Sequence, residues 1–118
     1  MRVIVAGGRH FQDYGLLTVK LNSILSASPK AGIEIVSGGA PGADSLGAKY
    51  AKENNIPYRY FEANWQAHGK AAGPIRNEEM AKYATHCVCF WDGESKGTKS
   101  MIELAGQYKL QLRIIFYS

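Results

Sequence analysis

The stretch Ser37-Gly38-Gly39-Ala40-Pro41-Gly42-Ala43-Asp44 carries the clearest chemistry in the chain. An apolar run, Ile33 to Val36, leads into it. Behind it Ala43, Leu46, Gly47, Tyr50 and Ala51 recur at the three-and-four spacing of one helix face. Strand, glycine turn and helix start, in that order, make an anion site. The first N–H groups of the helix have no intrahelical partner and its dipole favours negative charge. Glycines let the backbone approach a ligand and take positive φ. Ser37 offers a hydroxyl to a ligand or to a cap. Asp44 offers a carboxylate in the first helical turn, which either takes a ribose hydroxyl or satisfies the helix end.

Other groups of the right type fall at similar places. Gly7, Gly8 and Arg9 follow the first apolar run, and Gly97 and Thr98 open the last helical pattern. Arg9 and Arg76 suit phosphate because guanidinium binds it bidentately; a surface ion pair is the plainer alternative. Lys70 is a phosphate contact or an ordinary loop lysine, and Thr98 a ligand contact or a cap. Phe11, Trp65 and Trp91 are candidates to stack on a base, against the commoner role of rim or core anchor. No G-x-x-x-x-G-K-[ST] or G-x-G-x-x-G fingerprint is present.

Catalysis has less to stand on. His68 has no Ser or Cys nucleophile beside it, His10 is at most a ligand contact, and His86 opens a strand. Glu78 and Glu79 read as solvated. Asp92, Glu94 or Asp44 could serve a hydrolase as base, but no spacing supports a metal site. Cys87 and Cys89, the two cysteines, share a strand face in an apolar run and read as buried thiols in a reducing compartment.

These groups need a frame to bring them together. The 118 residues, 46% hydrophobic and 20% charged, suit a single globular domain over 1–118. No run reaches the roughly 20 apolar residues of a membrane span, and Met1-Arg2-Val3-Ile4-Val5 lacks a signal-peptide layout, so a cytoplasmic protein is expected. A net charge of +4 suits a phosphate-bearing ligand as well as nucleic acid. The absence of a Lys/Arg block argues against a long nucleic-acid track.

Strands are expected at Arg2–Ala6, Ile33–Ser37, Pro57–Phe61, His86–Phe90 and Leu112–Tyr117. Helices are expected from Asp13 to about Ala27, after the glycine loop to about Asn54, from Pro74 to about Ala84, and from Thr98 to Tyr108. Ser28 to Gly32 ends the first helix. The long connection Glu62 to Gly73 is read as a loop. Strict alternation with near-continuous apolar strands predicts an α/β, three-layer Rossmann-like fold: a five-stranded parallel sheet with helices on both faces. Right-handed crossovers put every strand-to-helix loop on the carboxyl edge. Nine of the thirteen glycines fall in those loops, where open α/β sheets bind ligands.

Four motifs together resemble the YspA/YpsA-related branch of the SLOG superfamily, found in bacteria and their phages. They are Val5-Ala-Gly-Gly-Arg-His-Phe11, Ser37 to Asp44, Gly69-Lys-Ala-Ala-Gly-Pro-Ile-Arg-Asn77 with Met80, and Trp91-Asp-Gly93 with Gly97-Thr98. The resemblance spans nearly the whole chain, in order. It implies a Rossmann-like fold and a nucleotide-derived ligand at the glycine loops, and it adds Asn77 to the binding candidates. Relatives include the LOG phosphoribohydrolases, the DNA-processing protein DprA and sensors of NAD-derived signals. The LOG pattern Gly-x-Gly-Thr-x-x-Glu ends on a catalytic Glu, and here Met101 stands at that position. Methionine cannot transfer a proton, and Glu103 would point elsewhere on the helix.

The resulting expectation is a module that binds a nucleotide, an ADP-ribose-like molecule or a cyclic nucleotide signal, as a sensor or sequestering protein. Phosphates are expected on Gly8-Arg9, Gly38 to Gly42 and Gly97-Thr98. The alternatives are an N-glycoside hydrolase and a binder of single-stranded nucleic acid. No cofactor is named by the residues. A homo-oligomer is expected because the edge strands of so small a sheet need cover.

Overall fold

The computed structural model describes residues 1–26 and 32–117. Five strands, β1 (Arg2–Gly7), β2 (Glu34–Ser37), β3 (Tyr58–Tyr60), β4 (His86–Trp91) and β5 (Gln111–Phe116), alternate with helices. These are α1 (Tyr14–Leu25), α2 (Ala43–Glu53), α3 (Trp65–His68), α4 (Ala72–Tyr83) and α5 (Lys96–Gln107). All strand pairs are parallel, in the order β3-β2-β1-β4-β5. β1 and β4 lie at the centre, and four consecutive residues of each are buried because both faces are covered.

Alternation along β1 separates two cores. Val3 and Val5 pack with Leu17, Leu21 and Leu25 of α1 and Tyr50 and Ala51 of α2. Ile4 and Ala6 pack on the other face with Met80 and Ala81 of α4 and Met101 and Ala105 of α5. Cys87 and Cys89 lie on this second face, both buried and free, with sulfurs 3.5 Å apart. The chain runs outward through β2 and β3 and then returns to β4 beside β1. The loops after β1 and β4 therefore diverge, and a crevice opens between them at the carboxyl edge.

The elements lie within a few residues of their expected bounds, with three informative differences. Asp13 caps α1 by accepting from the Leu16 amide at 2.9 Å, while the expected end at Ala27 and the Ser28–Ala31 breaker lie outside the described residues. The segment read as a loop holds α3, capped by Asn64 accepting from Ala67 at 3.1 Å, and a 3-10 turn over Gly69–Ala71. It runs into α4 at Ala72, so Pro74 stands inside the first turn, where its missing N–H costs nothing. α5 begins at Lys96, two residues before the expected Thr98. No helix among the described residues is long and apolar enough to cross a membrane.

Candidate functional site

A cleft of about 430 Å³ opens at the carboxyl edge on the α4/α5 side. β1 and the loop after it contribute Gly7 and Arg9, the glycine loop Ala40 and α2 Asp44. α3 contributes Trp65, α4 Arg76 and Asn77, and α5 Lys96, Gly97 and Thr98 together with its N-cap Ser95. Four stretches of the chain, 6–9, 40–44, 65–80 and 95–101, thus meet at the switch point of the sheet.

The glycine loop between β2 and α2, where phosphates are expected from Gly38 to Gly42, makes several hydrogen bonds within the fold. Gly39 N–H donates to Ser37 Oγ at 3.1 Å and Ala40 N–H to Asp44 Oδ2 at 3.4 Å. Ala43 N–H, at the head of α2, donates to Gly8 O at 3.3 Å. Ser37 is fully buried and its hydroxyl donates to Asp44 O at 3.2 Å, so it braces the loop rather than facing the cleft. A Cβ on Gly42 (φ +84°) would collide with Gly8 O, and one on Gly39 (φ +73°) with the Tyr60 ring.

Asp44 is only 7% exposed, yet it lines the cleft. Burial pushes its carboxyl up to about 6, against the opposing pull of the Ala40 amide, Arg76, the Gly38 amide and Arg9. Arg76 reaches from α4 across the edge and donates through Nη1 to Gly38 O at 2.7 Å. Its Nε donates to Asn77 Oδ1 at 3.0 Å. Arg76 therefore ties α4 to the glycine loop and Asn77 steadies Arg76; both line the cleft.

The start of α5 also lines the cleft. The first intrahelical bond runs from Lys99 N–H to Ser95 O, so the amides of Lys96, Gly97 and Thr98 precede it. Ser95 makes no side-chain cap to the backbone; instead Thr98 Oγ1 donates to Ser95 Oγ at 3.2 Å. A Cβ on Gly97 would meet nothing within 4 Å. The preceding turn is rigid: Asp92 Oδ1 accepts from Glu94 N–H at 2.9 Å and Ser95 N–H at 2.8 Å, and Trp91 Nε1 donates to Ser95 O at 3.1 Å. Those two amide bonds hold the Asp92 carboxyl below its usual range, which suits a turn brace and not a base.

The remaining candidates are spread out. Phe11 is buried in a stack with Phe90 and Tyr117, at centroid distances of 4.9 and 4.7 Å, and is closed to a base. Trp91 is half-buried against Phe116 and held by its bond to Ser95. Trp65 alone of the three lines the cleft, 54% exposed. Gly8 is buried, with Tyr117 filling the space a Cβ would need, and Gly7 abuts Ala43 and Phe90. Lys70 is exposed in the 3-10 turn and does not line the cleft. Among the described residues no three His, Cys, Asp or Glu side chains gather as for a metal ion. Met101 is 1% exposed, packed in the second core at the cleft floor.

Two structural features escape the sequence pattern. Lys96 belongs to the first turn of α5, a position that the late helix start conceals. Tyr60 covers the glycine loop from the neighbouring strand, a relation only the sheet order reveals.

The model of the YspA, cpYpsA-related SLOG family matches residues 1–68. The Gene 61 protein of Mycobacterium phage D29 is 36% identical over 104 residues, which cover 83% of this chain and 82% of that protein. Among solved structures, DNA processing protein A (DprA) from Streptococcus pneumoniae superposes with a TM-score of 0.74 at 18% identity, over 99% of this chain. DNA processing protein A from Helicobacter pylori, solved for its single-stranded DNA binding mode, superposes with a TM-score of 0.68 at 21% identity, over 100% of this chain. The chain spans 50% and 66% of the lengths of these two. At such identities the likeness shows a shared Rossmann-like fold.

Proposed function

The chain belongs to the YspA, cpYpsA-related SLOG family, and from that premise we propose that its cleft binds the phosphate and sugar of a nucleotide. One observation carries the reading. The uncapped start of α5, with open space at Gly97, lies across the cleft from the half-buried Arg76. Three free amides, a helix dipole and a guanidinium then face one volume, and a phosphate satisfies all of them. Arg9 and Lys96 add exposed positive charge at the rim.

The nucleotide comes from a single strand in the reading that the comparisons favour. The Helicobacter pylori neighbour binds single-stranded DNA, and an exposed Trp65 beside exposed cations is the pairing of stacking and charge that such strands use. A free nucleotide-derived molecule, held as by a sensor, is the second reading. It is favoured by the confined volume and by a carboxylate on the floor, Asp44, suited to sugar hydroxyls. In both readings the site binds without LOG-type phosphoribohydrolase chemistry, because Met101 brings a thioether to the floor and no transferable proton. A homo-oligomer through the β5 edge, where Phe116 is 65% exposed, belongs to the same proposal.

Fluorescence anisotropy of labelled (dT)12, with competition by dTMP, AMP and ADP-ribose, tests the reading. Binding of (dT)12 that falls steeply with salt, and loses about one unit of log–log slope in Lys96→Ala, supports the strand. Tight competition by a mononucleotide with shallow salt dependence supports the free ligand. Failure of every probe to bind overturns the cleft as a nucleotide site.

A further inference from the structure

β3 carries two tyrosines on one face, Tyr58 and Tyr60, paired in register with Ile35 and Ser37 of β2. Both are among the exposed large side chains of the protein, at 38% and 53%. Their placement is not casual. The Tyr60 ring lies over Gly39, where a Cβ would come within 2.9 Å of Cδ1 and 3.0 Å of Cζ. Tyr58 stands two residues before it on the same face of β3. Gly39 adjoins Ala40, which lines the cleft. Both tyrosines stand on the α1/α2 face of the sheet, as Ile35, the register partner of Tyr58, does, so a strand leaving the cleft on the α4/α5 side reaches them over the carboxyl edge at Gly39.

Resting on the nucleotide reading of that cleft, we propose that Tyr60 and Tyr58 form a second, stacking platform, on which a single-stranded nucleic acid lays the bases next to the one whose phosphate sits at α5. Spacing supports a strand over a mononucleotide. Two residues of a β-strand are about 6.7 Å apart, roughly twice the 3.4 Å rise of stacked nucleotides. A strand drawn out to that pitch has its bases splayed apart and their faces free for phenol rings. Charge agrees, with a net +4 on the chain and Arg9 and Lys96 at the cleft rim. A second copy of the chain is a poorer occupant. β3 is three residues long and follows Pro57, which has no N–H, so the edge offers little ladder for another strand.

The test is a length series, (dT)2 to (dT)8, measured by anisotropy at one salt concentration beside dTMP competition. Wild-type affinity should climb over the first few nucleotides and then level off. Tyr60→Ala should lose roughly tenfold on (dT)8, flatten the climb, and leave both dTMP affinity and the salt slope unchanged. Tyr60→Phe keeps the ring over Gly39 and should restore the climb. Equal (dT)8 affinity for Tyr60→Ala and wild type, with dTMP still bound, overturns the platform while leaving the cleft reading standing. Loss of dTMP binding in Tyr60→Ala overturns it too, by showing that the ring only supports the loop. A dimer in sedimentation that Tyr60→Ala dissociates assigns the face to self-association and also overturns it. Failure of wild type to bind dTMP or any oligonucleotide overturns the cleft reading and the platform together.

Discussion

Asp44→Asn isolates the energetic consequence of placing a carboxyl on the floor of the cleft. Burial raises the Asp44 carboxyl from 3.8 to about 6, so folding favours its neutral form and takes up a proton between those values. For an acid raised in this way the unfolded chain binds fewer protons than the native one. Stability therefore falls as pH rises from about 4 to about 6 and then stays level. At 1.36 kcal/mol per unit, the shift makes the ionised carboxyl destabilising by about 3 kcal/mol at pH 8. Exposure of 7% leaves little solvent screening to reduce that figure. The asparagine amide carries no charge, and its oxygen can still accept from Ala40. Asp44→Asn should thus exceed wild type by up to about 3 kcal/mol at pH 8, roughly 10 °C in Tm for a chain of this size, and match it near pH 4. Urea titrations of both proteins at pH 4.5, 6 and 8 measure the difference, and other titrating groups cancel between them. A gap that does not vary with pH, or an Asp44→Asn less stable than wild type at pH 8, refutes the argument. Such a result would mean that bonds to the Ala40 and Gly38 amides outweigh desolvation.

Three further substitutions probe the fold and the site separately. Gly97→Asp places its side chain in open space at a helix start, where an acid favours the helix; urea stability should hold or rise slightly, while dTMP competition weakens by at least roughly tenfold through charge repulsion. Gly42→Ala forces a Cβ toward Gly8 O and Arg9 O at φ +84° and should lose about 2 kcal/mol or more of stability in urea denaturation. Met101→Ala empties a position 1% exposed in the α4/α5 core and should lose about 2–5 kcal/mol, read by the same titration.

The sheet was legible because its central strands announce themselves. Val3-Ile4-Val5-Ala6 and Cys87-Val88-Cys89-Phe90 are apolar at every position, which only a strand covered on both faces tolerates. Asp13 ahead of Leu17, Leu21, Ile24 and Leu25 fixed the start of α1 by the same logic of cap and stripe. The start of α5 was misplaced because Lys96 and Gly97 carry no apolar mark, and the cap at Ser95 makes no bond to the backbone. α3 was missed because none of its residues is buried, so no periodic stripe exists to betray it. Strand order was also out of reach. Nothing in the sequence of β3 says that it lies at an edge, so Tyr60 could not be placed over Gly39. For the site, residue type pointed to Arg9, Arg76, Asp44 and Thr98, which all line the cleft. It could not say which hydrogen bonds those groups already spend on the protein itself.

That last distinction governs how glycine-rich edges should be read. A glycine reports that something approaches the backbone closely, but not whether that something is a ligand or the protein. At Gly7 the neighbours are Phe90 and Ala43, at Gly8 Tyr117, at Gly38 Arg76, at Gly39 Tyr60 and at Gly42 the carbonyls of Gly8 and Arg9. All five are spoken for by the fold, because strands, helices and the two glycine loops pack against one another at the rim of the crevice. Gly97 is different: it borders open space at the start of a helix whose first residues line the cleft. Under the proposed reading the glycine loop is the wall of the site and the start of α5 at Gly97 is its anion seat. Substitutions on the two should separate accordingly. Changes in the wall lower stability and binding together, as Gly42→Ala should. Changes at Gly97 should remove binding from a protein that still unfolds at the wild-type urea midpoint. Loss of stability in both classes would return the anion seat to the glycine loop.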